Sequence, residues 1–187
     1  ISISVEAGLD LIVDADLFSQ VNHAQNRKLV ATVMEMAAVE RGDQLLDIFC
    51  GAGNLSLPAA RRGARVTGID SDELAIDAAT RNAARLGFAE TKFTAGKATD
   101  TVNFLIRSRY RPQVVILDPP RTGAADLMEA IAKLRPRSIV YVSCDIATLA
   151  RDLEILLASS YRSNRVRAFD FFPNTHHAEI VAHLLLT

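Results

Sequence analysis

Residues 45–54, Leu45-Leu46-Asp47-Ile48-Phe49-Cys50-Gly51-Ala52-Gly53-Asn54, set two glycines directly after a short apolar run and before a helix-forming segment. A strand that ends on a glycine turn and passes into a helix is the opening unit of an open α/β sheet. Glycine tolerates the turn and lets backbone approach a ligand closely. The third glycine of the dinucleotide fingerprint is absent, since position 56 is Ser56. The next apolar run ends Gly68-Ile69-Asp70, 19 residues past Gly51. A carboxylate there can accept both hydroxyls of an adenosine ribose. A nicotinamide enzyme shows the same spacing, and glycines in this setting are also ordinary turn residues. The acid at Asp47, ahead of the glycines, favours S-adenosyl-L-methionine over NAD.

The rest of the chain alternates strand and helix patterns. Residues 1–5 and 9–13 read as strands, and residues 22–39 as a helix with Asn22 as its N-cap. Strands are expected at 44–49, 64–70, 91–95, 114–117 and 138–142. The helices between them are expected at 54–62, 72–86, 98–108 and 126–134, with another at 147–159. Residues 163–170 and 178–186 read as a closing hairpin-like pair. Right-handed crossovers then give a doubly wound, mostly parallel seven-stranded sheet with an antiparallel strand at one end.

At 187 residues, 49% of them apolar, the chain can bury a full core. The net charge of −1 gives no sign of a polybasic tail, and 17 of the 21 cations are arginine, the better phosphate fork. Cys50 and Cys144 cannot make a disulfide framework, so a reducing cytoplasm is the expected compartment. No apolar run approaches the roughly 20 residues of a membrane span. The chain opens on Ile1 rather than methionine. Residues 1–15 therefore read as a strand and linker remnant of a longer protein, and residues 16–187 as the catalytic domain.

Two further strand ends carry chemistry. Asp118-Pro119-Pro120-Arg121 follows Val114-Val115-Ile116-Leu117, and the prolines fix where Asp118 points. An amino-directed base methylase would carry an aromatic residue where Arg121 stands. Ser143-Cys144-Asp145 follows Ile139-Val140-Tyr141-Val142 and leads into a helix, whose N-terminus can lower a thiol pKa. A lone cysteine is also a common small core residue.

With these motifs in order the chain resembles the RNA uracil-C5 methyltransferases, which make 5-methyluridine. The matching residues are Phe18-Ser19-Gln20-Val21-Asn22, the run from Asp47 to Leu55, Asp118-Pro119-Pro120-Arg121-Thr122-Gly123, Ser143-Cys144 with Thr148-Leu149-Ala150-Arg151-Asp152-Leu153, and Asp170-Phe171-Phe172-Pro173-Asn174-Thr175-His176-His177-Ala178-Glu179. The resemblance covers nearly all of residues 16–187 and implies a class I S-adenosylmethionine methyltransferase fold. It implies that Gln20, Phe49, Gly51, Gly53, Asn54, Asp70 and Asp118 surround the cofactor. It makes Cys144 the nucleophile and Glu179 the base, with no metal. The expected partner is structured RNA, rRNA or tRNA, chosen with the help of an upstream RNA-binding domain. The rival readings are methylation of another pyrimidine or small molecule, and an RNA-binding module that has lost turnover.

Two departures bear on activity. Asp145-Ile146 stands where the family reads Asn-Pro, and a carboxylate pointing at the thiol would raise its pKa. Lys97 stands where Asn or Asp commonly meets the adenine, and a lysine offers no acceptor. His176, His177 and Glu179 form a superficial metal pattern, but adjacent histidines on a strand face opposite ways.

Overall fold

Strands in the middle of a parallel sheet are covered by helices on both faces, so they read as unbroken apolar runs. In the computed structural model, which describes residues 1–171, 174–175 and 178–187, this holds for β6 (Val114–Leu117) and the interior of β7 (Ser138–Ser143), while β3 (Gln44–Ile48) is equally central but interrupted by the buried Asp47. Alternate residues of these strands enter different layers. Leu45, Ile116 and Val140 join one core cluster, while Leu46, Leu117 and Tyr141 join the other.

Before the sheet come a hairpin, β1 (Ser2–Glu6) and β2 (Leu9–Ile12), and helix α1 (His23–Ala37). The sheet is then wound through α2 (Ser56–Arg61), β4 (Arg65–Asp70), α3 (Glu73–Leu86), β5 (Lys92–Ala95) and α4 (Ala98–Arg107). Helix α5 (Ala125–Leu134) joins β6 to β7, and α6 (Ile146–Ala158) leads to β8 (Tyr161–Phe169) and β9 (Glu179–Leu186). The strand order is β5-β4-β3-β6-β7-β9-β8. The antiparallel strand expected at one end is β9, which slots between β7 and the edge strand β8. That insertion brings the first residue of β9 to the carboxyl end of β7.

Local signals explain the boundaries. The Asn22 side chain accepts from Gln25 N at 3.1 Å, capping α1, and donates to the Phe171 carbonyl at 3.3 Å. Helix α3 is capped by Asp72 and ends on Gly87 in the left-handed region. Residues 1–15 pack as a folded hairpin: Ile3, Val5, Leu9, Leu11 and Val13 are buried in the cluster shared with α1. The Asn82 amide of α3 bridges both main-chain groups of Ile12, at 2.8 and 2.9 Å.

Candidate active site

The strand order reverses between β3 and β6, and a ligand crevice is expected above the carboxyl ends there. A cavity of about 630 Å³ opens at that position. Gln20, Phe49, Gly51 and Asn54 line it, and so do Asp70 and Asp118. Cys144 and Glu179 share the same wall. Gly53 does not. At φ +96° it turns toward α2, where a Cβ would stand 3.0 Å from Leu57, so its part is close helix packing.

The glycine turn is tightly held. Phe49 sits at φ +67°, a genuine outlier for a bulky side chain, and donates its N–H to the Ile69 carbonyl at 2.8 Å. Asp70 Oδ2 accepts from Gly51 N at 2.8 Å, and Oδ1 accepts from Asp72 N at 3.0 Å. A Cβ at Gly51 would meet nothing within 4 Å, which leaves the turn open to a ligand. The Asn54 amide is paired reciprocally with the buried Asn26 amide, at 2.8 and 3.0 Å. Asp47 lies wholly buried beneath the turn, with Oδ2 accepting from Ser56 Oγ and Oδ1 without a partner among the described residues. Burial, opposed by the Ser56 bond and reinforced by the Asp70 charge, pushes Asp47 up to about 7. Cys50 is buried beside the turn, and burial drives its thiol well up.

The other wall is built by register. Ser143 of β7 pairs with Ile180 of β9, so the residues just beyond, Cys144 and Glu179, become neighbours despite lying 35 positions apart. Arg121 lines the same cavity as Cys144 and Glu179. Burial first, and the Glu179 charge second, push the Cys144 thiol up, while Arg121 pulls it down. Burial also raises Glu179, again against Arg121. Asp118 is pushed up to about 8 by burial and then by the charges of Glu179 and Asp47. A thiol, a cation that favours its ionised form and a carboxyl with elevated proton affinity thus converge. That set can add a sulfur nucleophile to a substrate and later take up a proton.

Both departures fall away from this chemistry. Asp145 caps α6, its Oδ1 accepting from Ala147 N at 3.0 Å and Thr148 N at 2.9 Å. Those bonds hold its carboxyl below the usual range. The charges acting on Cys144 are those of Glu179 and Arg121. Lys97 stands exposed at the start of α4, off the cavity wall. Arg121 is the residue that sequence reasoning undervalued. Its signal was a cation fixed behind two prolines at a strand end, read there only as a missing aromatic ring.

These charges predict the reactivity of the thiol. Alkylation of Cys144 by iodoacetamide at pH 7 should be slower than that of an exposed cysteine and should rise with pH as thiolate forms. Glu179→Gln removes a negative neighbour and should speed it several-fold; Arg121→Ala should slow it by about as much. Peptide mass spectrometry across a pH series reads Cys144 apart from Cys50. Equal rates in all three proteins would mean that neither charge reaches the sulfur.

His176 and His177 lie outside the described residues. Among the described residues no group of three or more His, Cys, Asp or Glu side chains is placed to hold a metal. No helix among them is long and apolar enough to cross a membrane.

Comparison with known proteins follows the same geometry. The 23S rRNA (uracil(1939)-C(5))-methyltransferase RlmD of Marinomonas sp. (strain MWYL1) is 43% identical over 162 residues, 87% of this chain. The chain spans 37% of that relative's length, and 74% of a Photobacterium angustum (strain S14 / CCUG 15956) protein of the same name that is 40% identical over 87% of the chain. The crystal structure of Pyrococcus abyssi tRNA (uracil-54, C5)-methyltransferase in complex with S-adenosyl-L-homocysteine superposes with a TM-score of 0.82 at 33% identity. It covers 99% of this chain, which spans 44% of the archaeal one. The sequence profile of the tRNA (Uracil-5-)-methyltransferases matches residues 12–186, and with the fold and the ordered motifs agreeing, the chain belongs to that family.

Proposed function

We propose that this chain methylates C5 of uridine in structured RNA, rRNA or tRNA, with S-adenosylmethionine as methyl donor. The observation that carries the reading is the meeting of Cys144, Glu179 and Arg121 on one cavity wall. A cavity of about 630 Å³ falls within the size range of small-molecule sites. Its acids, Asp70, Asp118 and Glu179, suit a ligand carrying a sulfonium and an ammonium group. The open space over Gly51 and the carboxylate of Asp70 suit an adenosine. Gln20, Phe49, Asn54 and Asp118 complete the set that would hold it.

Uracil C5 is a weak nucleophile. Addition of the Cys144 thiolate to C6 moves the C5–C6 electron pair toward the C4 oxygen and makes C5 an enolate carbon. Bound S-adenosylmethionine supplies an electrophilic methyl group. Once C5 carries the methyl, Glu179 takes the C5 proton, that electron pair restores the C5=C6 double bond and the thiolate leaves C6. C6 is shielded in a stacked helix, so the uridine must be flipped or looped out.

Residues 16–187 act in this reading as the catalytic domain, and RNA selection rests mainly outside this near-neutral chain. The two free thiols support a reducing cytoplasm as its place.

The test is product analysis. The protein is incubated with methyl-labelled S-adenosylmethionine and rRNA or tRNA transcripts, and the digested RNA is expected to contain 5-methyluridine. Label in another pyrimidine or only in small molecules would overturn the reading. Asp70→Ala is expected to weaken S-adenosylmethionine binding in calorimetry by about 1–3 kcal/mol, the cost of leaving polar partners unpaired. Unchanged affinity would remove Asp70 from the site.

A further inference from the structure

A buried network that the reaction does not use lies behind the catalytic wall. Asp152 of α6 is fully buried, yet it accepts four hydrogen bonds. Oδ2 takes the Ala124 N–H and the Tyr141 hydroxyl, each at 2.6 Å; Oδ1 takes Arg151 Nε at 2.8 Å and Nη2 at 2.7 Å. Arg151 Nη2 also donates to the Thr122 carbonyl at 2.9 Å, and Thr148 Oγ1 donates to the Arg121 carbonyl at 3.1 Å. Residues 148, 151 and 152 share one face of α6 at i, i+3 and i+4. They grip main-chain groups of residues 121, 122 and 124 in the loop that follows Asp118. Gly123 completes the fit. At φ +73°, a Cβ there would stand 2.6 Å from both Asp152 Oδ2 and Arg151 Nη2.

The same helix begins directly after Cys144 and is capped by Asp145. One rigid element therefore fixes both the thiol and the loop that carries the guanidinium. We infer that Thr148, Arg151 and above all Asp152 are positioning residues that hold Arg121 in the cavity beside Cys144. A fully buried carboxylate costs several kcal/mol unless it is fully bonded, and a helix–loop contact needing only stability is met as well by apolar packing. What this network adds is a fixed main-chain path for residues 121–124, and the side chain thrown from that path is Arg121. The inference rests on Cys144 acting as the nucleophile, but its test does not require methyl transfer.

The test measures Cys144 alkylation by iodoacetamide against pH, without RNA or methyl donor, in otherwise wild-type protein and in an Arg121→Ala background. The groups facing Cys144 are Arg121 from the loop after β6, Glu179 from β9, Asp118 in the same cavity and Asp145 at its own helix cap. Asp152→Asn keeps the volume but turns an amide toward Arg151. The expected result is a midpoint raised by roughly one pH unit, or about tenfold slower alkylation at pH 8. In the Arg121→Ala background Asp152→Asn should add nothing further. Thr148→Val, on the helix surface, is expected to give a smaller shift of the same sign and serves if Asp152→Asn does not fold. A lowered melting temperature with an unmoved alkylation profile would overturn the inference, as would an equal shift in both backgrounds. Failure of the wild-type protein to methylate uridine would count against the proposed function instead.

Discussion

Cys144→Ala is expected to lower methyl transfer to uridine by on the order of 10⁴-fold or more while S-adenosylmethionine still binds with near wild-type affinity. The sulfur is needed to make C5 nucleophilic, and no neighbouring group can replace it. Cys50 is the other thiol, and it is buried beside the glycine turn with its proton affinity driven well up. Calorimetry and a labelled-methyl assay on the same preparation separate the two effects. Residual turnover within tenfold of wild type would mean that the covalent step does not run through Cys144. Lost cofactor binding would instead place the thiol in the cofactor pocket.

Glu179→Gln should fail later in the cycle and leave a visible product. The substitution is isosteric at a position only 7% exposed, so packing is retained. Removing the negative charge that raises the Cys144 thiol leaves thiolate addition at least as easy. Methyl uptake then proceeds, but the amide cannot accept the C5 proton and the thiol cannot be eliminated. A methylated protein–RNA adduct is expected to accumulate to near stoichiometry and to survive denaturing gel electrophoresis. Full turnover by Glu179→Gln would reassign the base. A dead enzyme with no adduct would show that Glu179 acts before C6 addition. Adding Cys144→Ala to Glu179→Gln must abolish the adduct.

The raised Glu179 and Cys144 also fix the pH dependence. Turnover needs both groups ionised at the appropriate step, and each ionises above its ordinary value. Methyl transfer is therefore expected to rise with pH as the two groups ionise, and a pH–rate profile that fell over the same range would contradict these assignments.

Much of this was legible in the sequence, because strand–turn–helix transitions are local events. Asn22 and Gly87 marked helix ends through their own side-chain and backbone chemistry. The apolar runs of β6 and β7 announced a covered parallel sheet. The glycine turn, Asp70, Asp118 and Cys144 each fell at the carboxyl end of a strand, which is where such a sheet binds ligands. The sequence by itself thus determined the elements, the edge that carries the site and, through the family motifs, the residue types there.

Tertiary structure decided which of those residues touch and what state they are in. Glu179 reads in isolation as an ordinary acid at a strand start. Only the insertion of β9 between β7 and β8 sets it beside Cys144, and strand order is a long-range choice that no local pattern encodes. Asp145 looked like a threat to the thiol until its carboxylate was seen capping α6. Gly53 left the cavity wall for the packing of α2. Arg121 became the counter-charge of the sulfur because α6 reaches back to hold its loop, through bonds between residues 27 to 29 positions apart. A proton affinity is set by burial and by charges a few ångströms away, and both exist only once the chain has closed on itself.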